Sequence, residues 1–387
     1  MMNRKGLVSI IATLLGLLAG AILMFATGHN AFEGFLYLIQ GGTKSLERIG
    51  NTIATATPLI LTGLSLTFAF RTGLFNIGTP GQMLFGGLCA TVVGHTVNLP
   101  RPLLLVVLIL VAFIGGALWA AVPGALKTLF NVHEVVSCIM MNWIGYWVVY
   151  YVVKDYFPNG NKATESLPLA DNLTLRSTWL SDLFGGSYIN LGIIIAIVAV
   201  LVIAFILNKT TFGYELKAVG FNKHAAEYAG ISVNRSVIFS MMIAGGLAGL
   251  AGITQYLGVA TNMQIGVMPS QGFDGIAVAL LGATTPIGSL LAALFFGLLY
   301  AGRGFMSVMT DVPPEIADTI IATIIYFAAT SILVERILDK ISAKRALKKE
   351  VKTINDSLIG TDIQSTDNKN ESLGFMPPTE EEKKGEE

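Results

Sequence analysis

Apolar and polar positions are arranged along this chain in long blocks rather than in short alternation. Ten mostly apolar blocks lie near 6–27, 50–70, 77–97, 103–125, 131–153, 188–207, 236–257, 272–283, 286–302 and 316–334. A helix of about 18 or more apolar residues matches the thickness of a bilayer core, so these blocks predict membrane-crossing helices. Two of them break the pattern. The third follows the Gly- and Pro-containing stretch "GLFNIGTPGQ", and the eighth, "FDGIAVALLGA", is too short to cross upright as an ideal helix. Both predict irregular segments. The second to fifth blocks and the seventh to tenth each open with a full helix followed by such a segment, and they run in opposite directions. This predicts two inverted halves, a recurring plan among transporters. The expected fold is an all-α polytopic membrane protein of about ten helices, with a transmembrane domain over residues 1–345.

Composition strengthens this reading. The chain is 53% hydrophobic and 13% charged, where soluble domains carry about 25% charged residues. Mean hydropathy is +0.66. A formal net charge of zero gives no electrostatic case for nucleic acid. Residues 346–387 are poor in apolar side chains and mixed in charge, which predicts a disordered tail. The first block has an apolar stretch longer than a signal-peptide core and no clear small-residue cleavage site, so it reads as an uncleaved first helix.

Lys and Arg set the orientation. With the N-terminus inside, one set of segments holds Arg4, Lys5, Arg71, Lys127, Lys209, Lys217, Lys223, Arg235 and the basic cluster at 336–349. The other holds Lys44, Arg48, Arg101, Lys154, Lys162, Arg176 and Arg303. The two-to-one excess predicts both termini in the cytoplasm. It also predicts a cytoplasmic loop at 208–235 and a large external loop at 154–187.

Catalytic motifs fail on inspection. "HEVVS" from His133 has Ser137 where a zinc-protease motif needs its second His. "GGTKS" from Gly41 has Thr43 where a phosphate-binding loop needs Gly, and "GLSLT" around Ser65 lacks the second Gly of a nucleophile elbow. Cys89 and Cys138 fall in apolar blocks and read as packing residues. No catalytic residue, metal ligand or cofactor site is expected on this chain. Ionisable residues in or beside blocks are Glu134, Asp274, Arg303 and Asp318. Asp274, at the start of the short eighth block, is expected to cap that helix, with a place on a translocation path as the alternative. Gly245–Gly249 and Ala248–Gly252 have the spacing of close helix packing.

The polar stretch "GYELKAVGFNKHAAEYAGISVNR", Gly213 to Arg235, stands apart. Asn222 is placed to cap a short helix, "KHAAEYAG", and Gly230 to end it in a left-handed conformation. The small residues Ala225, Ala226 and Ala229 permit close approach of a partner, with Glu215, Lys217, Lys223 and Glu227 as a polar rim. The same chemistry suits a helix lying on lipid headgroups. Residue types alone leave both open.

The ordered pattern Lys217, Ala218, Gly220, Asn222, Ala225, Ala226, Ala229, Gly230, Ile231 and Arg235, followed by the Gly/Ala-rich run Gly245 to Gly252, resembles the signature of permease subunits of ABC importers for branched-chain amino acids, simple sugars and nucleosides. The resemblance covers residues 1–345. It implies a type II importer architecture in a bacterial cell membrane. Glu215, Lys217, Ala218, Gly220, Asn222, Ala225, Ala226, Gly230 and Ile231 would then form a coupling helix seated on a separate cytoplasmic ATPase. ATP and magnesium would be bound by that chain and none by this one. Other implied partners are a second permease subunit, in an unlike pair, an extracytoplasmic substrate-binding lipoprotein and membrane lipid.

Within that family, Phe75, Asn76, Ile77, Gly78, Gly81 and Gln82 are similar to the nucleoside-type members, although Pro80 stands where many relatives are acidic. "FDGIAVALLGATTPIG" and the Met-Asn-Trp pattern at 141–143 fit the same type. A nucleoside path would use aromatic faces and amides, and Phe75, Asn76, Gln82, Asn142, Trp143, Phe273 and Asp274 are its candidates. Amides inside spans also glue helices together, and aromatics also anchor at interfaces. A simple-sugar importer and an ion-coupled carrier are the alternative functions.

Overall fold

The computed structural model describes residues 4–160 and 164–330, with Val334, Arg336, Ile337, Asp339 and Lys340 beyond them. The chain divides into two units, Met1–Ile332 and Leu333–Glu387. The tail expected to be disordered, 346–387, lies outside the described residues. Fourteen α-helices occur among the described residues of the first unit. The first seven are α1 (Arg4–Ala26), α2 (Ala31–Thr43), α3 (Leu46–Arg71), α4 (Thr79–Thr96), α5 (Arg101–Phe130), α6 (Glu134–Tyr156) and α7 (Thr178–Leu183). The rest are α8 (Gly192–Lys209), α9 (Thr211–Phe221), α10 (Lys223–Tyr228), α11 (Val233–Thr254), α12 (Ser270–Leu281), α13 (Pro286–Thr310) and α14 (Pro314–Ala329).

Seven helices, α1, α3, α5, α6, α8, α11 with its continuation to Val259, and α13, are long and apolar enough to cross a membrane. The third and eighth blocks, expected to be irregular, are themselves the continuous helices α4 and α12, and the broken backbone lies just before each. One helix was not anticipated. Residues 31–43, whose apolar character Glu33 and three glycines interrupt, lie between the first and second expected blocks. They form α2 because Asn30 caps it, accepting from Phe32 N at 3.0 Å, and because Gly41 gives the close approach it needs to α13. A Cβ there would stand 2.8 Å from Gly302 Cα.

The helix ends follow local chemistry. Ser45 caps α3, Thr210 caps α9 and Thr285 caps α13, each supplying an acceptor to an N–H that the helix leaves free. Proline occupies the first turn of α4, α5, α13 and α14, where its missing N–H costs nothing.

Helices α3 and α11 form the centre, with 83% and 78% of their apolar windows buried against 28–39% in the other five long helices. Their neighbours come close through small residues. Gly249 of α11 lies on the Ala112 carbonyl of α5, and Gly297 of α13 lies 2.6 Å, measured from an added Cβ, from Ala56 Cβ of α3. Outward-facing Leu14, Leu18 and Ile22 of α1, Leu110 and Leu118 of α5, and Leu201 and Phe205 of α8 are exposed. Such apolar faces suit hydrocarbon rather than water.

Exchanging α3 with α11, α4 with α12, α5 with α13 and α6 with α14 maps most contacts among these eight helices onto one another, while the contacts of α1 with α14 and of α2 with α13 have no counterpart. α5 on α11 corresponds to α13 on α3, and α4 on α11 to α12 on α3. Turn chemistry repeats as well: Asn131 ends α5 and Asp311 ends α13, both left-handed at φ 52° and 54°. An ion pair spans each following hairpin, Lys127 to Glu134 and Arg303 to Asp318.

Candidate functional site

The polar stretch after α8 folds as two helices rather than one. Asn222, at φ −157° and ψ 106°, leaves the helical region and so ends α9 while starting α10. Its Oδ1 accepts from His224 N at 3.0 Å and Ala225 N at 3.1 Å, and Gly230 follows at φ +82°. Leu216, Val219 and Ala226 turn inward and are buried. Glu215, Lys217, Ala218 and Ile231 are half-buried, and Gly220, Asn222, Ala225 and Gly230 are exposed. The expected alanine face is therefore split, Ala226 inward and Ala225 outward. The outward surface is led by two aromatics that the sequence reading passed over: Phe221 is 96% and Tyr228 95% exposed. Their signal was available, since each flanks the Asn-capped, Gly-terminated turn.

Gly220 connects this loop to the interior. A Cβ there would collide with the Arg71 carbonyl oxygen and lie 3.1 Å from Gly73 N. Residues 72–78, which follow Arg71, form the first broken segment. In it, Asn76 Nδ2 donates to Gln82 Oε1 at 2.9 Å and Gln82 Nε2 donates back to Asn76 Oδ1 at 2.8 Å. Both residues are buried. Asn142 of α6 reaches in, its Nδ2 donating to the Ile77 carbonyl at 2.9 Å and its Oδ1 accepting from Gly81 N at 2.9 Å. Gly78 offers α4 no side-chain cap, so Asn142 supplies the acceptor from another helix. Phe75 is half-buried and stacks on Phe70 with centroids 5.7 Å apart. Trp143 is elsewhere: it is 54% exposed, edge-on to Tyr146 at 5.5 Å, on the outer face of α6. The fold thus joins Asn76, Gln82 and Asn142 and separates Trp143 from them.

The second broken segment begins where α11 passes into a π-helical turn, Gln255–Val259. Arg176 holds its end, donating from Nε to the Gly258 carbonyl at 3.0 Å and from Nη2 to Val259 at 2.6 Å. Backbone bonds zip the following stretch to the loop after α6: Ser166 N to Met263 O and Leu169 N to Thr261 O, both 2.9 Å. At α12, Phe273 is exposed and Asp274 half-buried. Asp274 is not a cap. The helix starts at Ser270, with Pro269 before it, so the carboxylate lies beyond the free N–H groups of the first turn. It faces the Tyr300 hydroxyl, and its Oδ2 is buried without a hydrogen-bond partner. The helices that follow the two broken segments touch at their first turns, where Gly272 of α12 packs on Pro80 of α4, with 2.6 Å from an added Cβ to Pro80 Cα. Among the described residues, no group of three His, Cys, Asp or Glu side chains is placed to hold a metal ion.

Residues 48–329 match the family described as the permease component of the branched-chain amino acid transport system. A guanosine ABC transporter permease protein of Bacillus subtilis, NupP, is 41% identical over 88% of this chain and 97% of its own. A nucleoside ABC transporter permease protein of Lactococcus lactis, NupB, is 39% identical over 90% and 98%. A glucose ABC transporter permease protein of Haloferax volcanii, TsgB13, is 30% identical over 83% and 86%. No solved structure matches the chain. A helical membrane core with two broken segments, matched over most of its length, belongs to this family of permease components, and the chain is a transport subunit rather than an enzyme.

Proposed function

We propose that this chain is one of two unlike permease subunits of an ABC importer for nucleosides. ATP is hydrolysed, with magnesium, on a separate cytoplasmic chain, and cargo is delivered by an extracytoplasmic binding lipoprotein. The observation that carries the proposal is the loop at 210–232. Two aromatics almost wholly exposed on a short helix are what a partner surface needs, and Gly220 at its root rests on the first broken segment. Glu215, Lys217, Ala218, Gly220, Asn222, Ala225, Ala226, Gly230 and Ile231 form the coupling region. The exchangeable helix contacts support two inverted halves and ten crossings, made by the seven long helices with α4, α12 and α14. Both termini are then cytoplasmic in the bacterial cell membrane. Residues 154–187 face the binding protein, and 346–387 form the tail.

Nucleosides are favoured as cargo because the two relatives matched over nearly their whole length are named for guanosine and nucleoside transport. An unlike pair is supported by a second guanosine permease protein of Bacillus subtilis, NupQ, which is 31% identical to this chain. Along the path, Phe75, Phe273 and Asp274 present surface to the cargo. Asn76, Gln82 and Asn142 shape the broken segment beside it, and Trp143 meets lipid or the second subunit. The test is uptake of radiolabelled guanosine into proteoliposomes holding both permeases, the ATPase and binding protein. Uptake should require ATP and be competed by other nucleosides. Uptake driven by an ion gradient without the ATPase, or competed by glucose, would overturn the reading.

A further inference from the structure

Arg71 closes α3 beside the 210–232 loop, and it makes contacts in two directions. Its carbonyl oxygen is the atom that a Cβ on Gly220 would strike, so the end of α9 rests on the Arg71–Gly73 backbone. Its side chain reaches a different element: Nε donates to the Thr284 carbonyl at 2.9 Å. Thr284 belongs to the turn between α12 and α13, where Ala283 and Thr284 hold successive left-handed φ angles of 51° and 50°. Residues other than glycine stay in that conformation only when their surroundings hold them there.

Among the described residues, no carboxylate is ion-paired with Arg71. The guanidinium lies instead at the carbonyl ends of α3 and α12, where the helix dipoles favour a cation. It is always charged, so its bond to Thr284 is charge-assisted. Packing between Gly272 and Pro80 already joins the first turns of α12 and α4. A packing contact resists pushing but transmits little pull, whereas a charge-assisted hydrogen bond transmits both.

We propose that Arg71 is a positioning residue for transport. It ties the loop that meets the ATPase to the turn after α12, the helix that follows the second broken segment, so that one input moves both segments. The proposal rests on the reading that the 210–232 loop seats on the ATPase.

The experiment uses the complete transporter in proteoliposomes, with guanosine uptake and ATP hydrolysis measured together. Arg71→Met keeps the aliphatic stem and removes the donor. Guanosine moved per ATP should fall about tenfold or more, the scale of one lost hydrogen bond from a charged donor, while hydrolysis stimulated by the loaded binding protein persists. Arg71→Lys, which restores a cation and a donor, should regain part of the ratio. If Arg71→Met does not assemble, Arg71→Gln offers a neutral donor on a shorter stem and should also lower the ratio. An unchanged ratio, or uptake and hydrolysis falling together, overturns the proposal. Gly220→Leu separates this from the underlying reading. If it uncouples and Arg71→Met does not, Arg71 alone is wrongly assigned. If neither uncouples, the seating of the loop on the ATPase fails as well.

Discussion

The side-chain amides of Asn76 and Gln82 lie face to face in the interior and exchange two hydrogen bonds, 2.9 and 2.8 Å long. Each amide pairs one N–H and its oxygen with the other where the chain leaves regular helix, and Asn76 Oδ1 also accepts from the Cys138 thiol at 3.8 Å. Losing one member removes both bonds and leaves the other's amide buried short of partners, at about 1–3 kcal/mol. Asn76→Leu and Gln82→Leu should each lower the unfolding temperature of the purified complex. The double substitution should cost clearly less than the sum. Additive losses in that cycle would mean the pair is not coupled.

The exposed aromatics of the 210–232 loop give the opposite expectation. Phe221 and Tyr228 bury almost none of their surface within the chain, so alanine at either should change stability by no more than about 0.5 kcal/mol. Affinity for the ATPase should fall by about 2 kcal/mol for each aromatic that anchors the interface. Titrating the purified ATPase against variant permease complexes measures this. Undiminished affinity in the double variant would place the partner surface elsewhere.

Close packing at the centre sets a third expectation. Gly249 lies directly on the Ala112 carbonyl of α5, whereas a Cβ at Gly304 of α13 would meet nothing within 4 Å. Gly249→Leu should prevent close approach of α11 and α5, costing about 1–3 kcal/mol or more. Gly304→Ala should leave stability unchanged or slightly higher, since Ala favours helix by up to about 1 kcal/mol. Yield and thermal unfolding after detergent extraction distinguish the two.

Asp274 combines a buried, unpartnered Oδ2 with a place beside exposed Phe273 on α12. A carboxylate kept in such a position is costly to the fold. Asp274→Asn, of the same shape and uncharged, should be as stable as the parent or more so, and should take up guanosine more slowly. Uptake at the parental rate in Asp274→Asn would remove the residue from the path.

Local features were legible before the fold. Apolar block length located the long helices, since a helix among lipid tails must be apolar over the bilayer's thickness. Asn222 and Gly230 marked the ends of α10, since capping acts within three residues of the chain. The Gly245–Gly249 spacing pointed to close packing for the same reason: it sits on one helix face. The helix α2 escaped because its glycines and Glu33 hide its character; the Asn30 cap starts it and its fit against α13 holds it.

Tertiary structure alone decided the partners. Asn142 and Trp143 are neighbours in sequence and similar as candidates, yet a helix turns about 100° between them. Asn142 therefore completes the broken segment before α4, while Trp143 stands on the outer face. Arg71 is one more basic residue at a span end until Thr284, 213 positions away, is brought to its Nε. The sequence located the seven helices long and apolar enough to cross a membrane, because block length and apolar character depend on nearby residues. Which polar groups satisfy one another depended on which helices meet, and that is settled only when small residues on distant helices allow them to touch.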